Sequence, residues 1–342
     1  MQFGLFGAAQ AQGRGPDVDS AAGFHDFIDY VIEAEALGFH SAFVVEHHFT
    51  GFGQVSATLQ LLTWIGARTR TLRLGTAVIV LPWHNPVLLA EQAATLDLLS
   101  GGRLDFGVGK GYRHNEFAGF GIPIAEAAPR FEEAIDVITL AWTRRERFSF
   151  EGRWWRFSDI LVEPPPVQQP HPPFWQGAGH PESIRRVAAR GHALLLDQFA
   201  STEETGRRFA LYREAVEARG DHFDPARVGV ARAFHVARDA ADKQAAVERR
   251  LAAQRRMHAM SAGPDGTSQS SIMAFSDTLE ASEESALYGS PDDIARKLER
   301  LQAMGVEYVL LNGGGTSREN LRRFAREVMP AFRTEPPLRA AE

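Results

Sequence analysis

The chain has 342 residues, a net charge of −6 and no cysteine, with 44% hydrophobic and 23% charged residues. Its acidity argues against a broad face for phosphate backbones, and the lack of cysteine excludes disulfides, cysteine-zinc sites, iron-sulfur clusters and thiol nucleophiles. No stretch nears the ~20 apolar residues of a membrane span and the start lacks a basic leader, so a cytoplasmic protein without membrane or nucleic-acid partners is expected.

Short β-type runs alternate with helical patterns along the chain, which predicts repeated βα units around a parallel sheet. Strands are expected at Phe3–Phe6, Ala42–Val45, Leu72–Leu81, Leu104–Val108, Phe174–Ala178, Leu194–Phe199, Val228–Ala237 and Tyr308–Leu311. Helices are expected at Phe24–Leu37, stopped by Gly38, at Ser56–Ala67, at Val87–Leu99 between Pro86 and Gly101, and at Arg130–Trp142. Further helix starts stand at His180-Pro181 and at Ser290-Pro291-Asp292-Asp293, where a capping hydroxyl and two acids suit the positive helix end. About eight strands is the number that closes a barrel filled by side chains, so the expected fold is a single α/β TIM (β/α)8 barrel over residues 1–342. The aromatic, proline-stopped stretch 148–169 reads as a hairpin insertion, and the Ser-, Gly- and Asp-rich stretch 257–285 as a lid or disordered loop before the last strand.

Four segments carry residues suited to chemistry. Val45-Glu46-His47-His48 runs from an apolar strand into two imidazoles, and since neighbouring strand residues face opposite ways, one histidine should face the mouth. A neutral imidazole there accepts a proton near pH 7. Gly75 to Pro86 places small residues in mid-strand, allowing either a flat ligand or ordinary barrel packing. Phe106 to Arg113 interleaves Gly107, Gly109 and Gly111 with Lys110 and Arg113, suiting a phosphate or a plain solvated turn, and lacks the dinucleotide fingerprint. Gly177-Ala178-Gly179-His180 leads into a helix start with Ser183 in its first turn, where free N–H groups favour an anion.

Taken together, Phe3-Gly4, Glu46 to Thr50, Gly75 to Pro82, Gly101 to Leu104, Gly107 to Tyr112 and Gly289-Ser290-Pro291 resemble the luciferase-like flavin monooxygenase superfamily, over nearly the full chain. The resemblance implies reduced FMN from a separate flavin reductase, with molecular oxygen giving a C4a-hydroperoxyflavin that oxidises a small apolar aldehyde or ketone. By the same resemblance His47 is the active-site histidine, acting as general base or steadying the peroxide. Ala77 and Val78 are the pair beneath the isoalloxazine, joined by a non-proline cis peptide. Gly109, Lys110 and Tyr112 stand where the family has a cysteine, a phosphate-binding arginine and a leucine, and Gly179, His180 and Ser183 match its phosphate-binding turn. No metal is implied, and a homodimer through the helices Ser56–Ala67 and Val87–Leu99 is. A deazaflavin-dependent dehydrogenase shares the barrel, and a flavin-binding protein without turnover is the reading from another class.

Overall fold

Strands that are apolar on both faces are stable only when both faces are covered, and in the computed structural model eight parallel strands close into a barrel with helices outside. The structure describes residues 1–11, 13, 19–263, 276–313 and 317–333. In chain order the barrel strands are β1 (Gln2–Gly7), β2 (Ser41–Val44), β3 (Arg73–Thr76), β4 (Leu104–Gly109), β5 (Phe174–Gly177), β6 (Ala193–Leu196), β7 (Val228–Val236) and β8 (Tyr308–Asn312). Each pairs with the next, and β8 closes on β1 in register from Gln2 opposite Tyr308 to Phe6 opposite Asn312. Among the described residues no helix is long and apolar enough to cross a membrane.

Alternation along the strands divides the core in two. Phe43, Trp175, Leu195, Ala231 and Leu310 point into the barrel, while their neighbours Ala42, Val44, Leu194, Leu196, Val230, Val309 and Leu311 pack against the helices. Inside, Phe43 meets Trp175 edge-on at 5.4 Å and Trp175 meets Tyr308 at 5.9 Å. Tyr308 is hydrogen-bonded to Ser41, and Arg73 forks onto Asp105 at 2.8 and 2.6 Å, so polar ties hold the N-terminal end together. At the opposite end Phe6, Ala77 and Val78 rest on this cluster only partly buried. That end holds the chemistry-bearing segments.

The helix signals act as their chemistry requires. The Asn85 side chain accepts the N–H groups of Val87 and Leu88 at the start of helix Pro86–Ser100, which ends on left-handed Gly101. Ser290 and Asp293 form a reciprocal capping box at the start of helix Pro291–Ala303. Helices Thr202–Glu217 and Ala240–Ser261 are less legible in the sequence. The first buries Thr202, Thr205, Phe209, Tyr212 and Val216 at helical spacing, two of the five being threonines, and the second buries Arg250 and Gln254 beside Val247 and Leu251.

Three expected elements differ from what is observed. The run Leu72–Leu81 is split into β3 and a short strand Ile79–Val80 beside β4, with a cis peptide between Ala77 and Val78 and a 3₁₀ turn at Leu81–Trp83. The strand expected over Leu194–Phe199 stops at Leu196, because the Asp197 carboxylate accepts the N–H groups of Phe199 and Ala200 and turns the chain out of the sheet. The stretch 257–285 is not loop throughout: helix Ala240–Ser261 runs into it, and helix Leu279–Glu284, capped by Thr278, occupies its far end. Its residues 264–275 lie outside the described residues. Within 148–169 the strands Phe148–Glu151 and Arg156–Ile160 pair antiparallel, and the Glu133 carboxylate accepts the N–H groups of Arg153, Trp154 and Trp155, pinning the turn to helix Ala127–Thr143.

Candidate active site

Beyond the end of β2 the chain carries Glu46, His47 and His48 in sequence, and their side chains diverge. Glu46, 2% exposed, accepts hydrogen bonds on Oε1 from His84 Nε2 at 2.7 Å and His48 Nε2 at 3.2 Å, and on Oε2 from the Val80 N–H at 2.7 Å. Burial works to raise its carboxyl pKa. The bonds from His48 and His84, the His84 charge and the Val80 N–H outweigh that and hold it below the ordinary value. This carboxylate therefore ties the exit of β2 to the short strand that follows Ala77-Val78.

His47 turns the other way. Its Nδ1 lies 3.1 Å from Glu116 Oε1, an oxygen that also accepts the His48 N–H at 2.9 Å and stands 3.8 Å from Arg113 Nη1. A carboxylate facing three donors acts as acceptor, so the His47 Nδ1 carries the proton and Nε2 is the basic nitrogen. Nε2 makes no hydrogen bond among the described residues, and the side chain keeps 16% of its surface open. Burial lowers the His47 pKa, and the Glu116 bond pulls it back only in part, so the ring is neutral at pH 7.

The neighbouring strand ends carry small side chains. Ala77 follows β3 and its N–H bonds the Val44 carbonyl at 2.8 Å, three residues before His47. Val78 is flanked by Gly109, the last residue of β4, where an added Cβ would lie 2.5 Å from Val78 Cγ2. Glycine stands at this position because a cysteine or any larger residue would collide with Val78. Gly177 at the end of β5 has open space, its nearest neighbour being Val78 at 3.9 Å from an added Cβ. The structure thus leaves a low, apolar shelf across the ends of β3, β4 and β5, the shape a flat ring requires.

The rim places the remaining expected residues as follows. Lys110 is exposed directly after β4, and Tyr112 is half-buried, with burial pushing its phenol pKa up. Gly111 between them has φ +75° and its added Cβ would press on Val80 and Phe117, so the turn needs glycine. On the neighbouring strand end Gly179 is buried, His180 is exposed, and Ser183 is half-buried with its hydroxyl accepting from Arg186 at 3.3 Å. His180 caps helix Pro181–Ala189 without a side-chain bond, which leaves first-turn N–H groups for an anion. β4 and β5 are adjacent, so both rim segments share one side of the barrel mouth.

Glu116 and Phe120 were not singled out in the sequence, and the partners of His84 and Trp83 were not foreseen there. Trp83 stacks on Phe120 at 5.1 Å, and His48 meets both edge-on at 5.3 and 4.8 Å, with Phe49 5.0 Å from Phe120. Glu116 sits in the six-residue helix His114–Gly119, too short to show periodicity, and its one sequence signal is an acid in a first helical turn.

The luciferase-like monooxygenase signature matches residues 1–308, so the chain belongs to that family. It is 30% identical over 322 residues to the FMNH2-dependent dimethylsulfone monooxygenase of Pseudomonas putida, covering 88% of this chain and 85% of the relative. It is 27% identical to the oxygenase component of the flavin-dependent trigonelline monooxygenase of Acinetobacter baylyi, covering 90% of each. Among solved structures, monooxygenase RslO1 of Streptomyces bottropensis superposes with a TM-score of 0.82 at 26% identity, over 97% of this chain and 100% of the other.

Proposed function

We propose that this protein is an FMN-dependent monooxygenase that receives reduced FMN from a separate reductase and uses molecular oxygen to oxidise a small organic carbonyl compound. The observation that carries the reading is the neutral His47 imidazole, anchored through Nδ1 on Glu116 with Nε2 unbonded, on the strand end that neighbours the one leading to Ala77-Val78. Bound flavin supplies the oxygen-activating chemistry. Ala77, Val78 and the glycine ends of β4 and β5 would support its ring, and Lys110 with the helix start at Ser183 would hold its phosphate. His47 would take or return a proton at Nε2, and Trp83, Phe120 and Phe49 would cover the apolar part of the substrate and exclude water. The test is oxygen uptake with FMN, a flavin reductase and NADH against a panel of aldehydes and ketones. Carbonyl-dependent uptake with product formation is expected, and oxidation of an alcohol without oxygen, with oxidised deazaflavin as the hydride acceptor, would replace this reading.

The protein would act as a homodimer. Helices Thr58–Arg68 and Pro86–Ser100 present Trp64 and Leu99 at 59% and 69% exposure, with Leu88 on the same side as Leu99. Sedimentation velocity is expected to give a dimer that Leu99→Asp splits, and a monomeric wild type would end this assignment.

A further inference from the structure

The N-terminal mouth of the barrel, opposite the candidate active site, is not filled by side chains. A cavity of about 290 Å³ opens where the strands begin, at the small end of ligand-binding sites. Its inner wall is apolar: Trp175 and Tyr308 meet edge-on at 5.9 Å, and Ala193, paired with Trp175 across β5 and β6, presents a single methyl. Its rim is cationic. Arg73 commits Nε and Nη2 to Asp105, Leu104 and Gln168, while Nη1 has no partner among the described residues and the side chain keeps 26% of its surface open. Arg227, exposed on the same rim, donates from Nη2 to the Gly191 carbonyl and forms no ion pair among the described residues. His40 lies edge-on to Tyr308 at 5.6 Å, and neither of its ring nitrogens is hydrogen-bonded among the described residues. It also lines a neighbouring cavity of about 340 Å³, so the ring is approachable from both. Burial holds the His40 pKa below the ordinary value, so at pH 7 the ring is neutral and offers one donor and one acceptor. The carboxylate in this lining, Asp105, is 3% exposed and spent on Arg73.

We propose that this mouth is a second binding site, for a small aromatic carboxylate whose charged end meets Arg73, Arg227 and His40 and whose ring lies against Trp175 and Tyr308. Two guanidinium groups against one carboxylate leave a positive charge over a cavity with apolar walls, which concentrates anions there. The unfilled N–H groups of Arg73 and Arg227 make charge-assisted bonds to carboxylate oxygens, and the His40 N–H adds a neutral one. A phosphate fits less well, because the inner wall offers its remaining oxygens no donor and burying them unbonded is costly. The site stands at the opposite end of the strands from His47 and needs no flavin.

Calorimetric titration of the flavin-free protein at low ionic strength compares benzoate, benzamide and inorganic phosphate. Benzoate is expected to bind about 10-fold more tightly than benzamide, the worth of one charge-assisted hydrogen bond. Arg227→Gln is expected to weaken benzoate by about 3-fold, as for a solvent-exposed charge pair, and to leave benzamide unchanged. Ala226→Trp, which puts a large ring into the same lining, is expected to remove both. Should Ala226→Trp not fold, Arg227→Gln decides alone, since it changes an exposed side chain. Equal binding of benzoate and benzamide by the wild type overturns the proposal. So does a preference for benzoate that both variants leave untouched, which would put the acid elsewhere on the protein, and so does phosphate binding more tightly than benzoate.

Discussion

His47→Ala is expected to lower substrate oxidation by about 10²- to 10⁴-fold, the usual contribution of a positioned acid-base group, while FMN still binds. The expectation follows from how the ring is held. Glu116 bonds Nδ1 at 3.1 Å, fixing both ring orientation and tautomer, and leaves Nε2 as the nitrogen able to exchange a proton with substrate. Only the neutral ring is a base, and burial lowers the His47 pKa below 6.5, so the acid limb of kcat lies below pH 6.5 and activity is flat above it. Glu116→Gln removes a group that raises this pKa, so the limb should move to still lower pH while kcat falls less than in His47→Ala. Stopped-flow flavin titrations and pH profiles of the three proteins check this. Turnover unchanged in His47→Ala removes the assigned role, and a limb that moves upward in Glu116→Gln contradicts the hydrogen bond's direction of effect.

The barrel is readable in the sequence because its strands are short and largely apolar and most are separated from the next by a helix start or stop with definite chemistry. Helices with polar inner faces were harder, as Ala240–Ser261 shows: Arg250 is buried there because it donates to the carbonyls of Gln198 and Ser282, partners 52 and 32 residues away. The same limit applies to the site. The positions of His47 and Lys110 at strand ends and of Ser183 at a helix start follow from local pattern and family resemblance, while Ala77, expected inside one strand Leu72–Leu81, stands at a strand end only because that run is split. Pairings across the mouth do not follow from local pattern. Glu46 with His84 spans 38 residues and His47 with Glu116 spans 69, and no periodicity encodes a contact of that kind. Gly109 is an intermediate case. The missing thiol is visible in the sequence, but the crowding by Val78 that favours glycine there needs the strand register.

Gly107→Ala is expected to be the most damaging single methyl that can be added near the shelf. Gly107 lies in β4 where β3 ends, and Thr76 Oγ1 donates to its carbonyl at 2.6 Å. A Cβ built on Gly107 overlaps the Thr76 carbonyl oxygen and comes within 2.8 Å of its carbon, and those atoms belong to backbone that cannot rotate aside. Relief requires β3 to move off β4 immediately before Ala77, at a cost of about 3 kcal/mol, the upper part of the range for overpacking. For a chain of this length that is a fall in Tm of roughly 4 °C. Gly101 gives the comparison: its φ is +67° but nothing lies within 4 Å, so alanine there carries only the left-handed backbone cost of about 1 kcal/mol. Thermal melts should therefore rank Gly107→Ala well below Gly101→Ala, and FMN affinity should fall in the first alone, because its shelf is displaced while the Gly101 turn lies at the far end of helix Pro86–Ser100. Equal melting of the two variants would mean that β3 and β4 are not pressed together at Thr76, and the Ala77-Val78 shelf would lose the support that holds it level with His47.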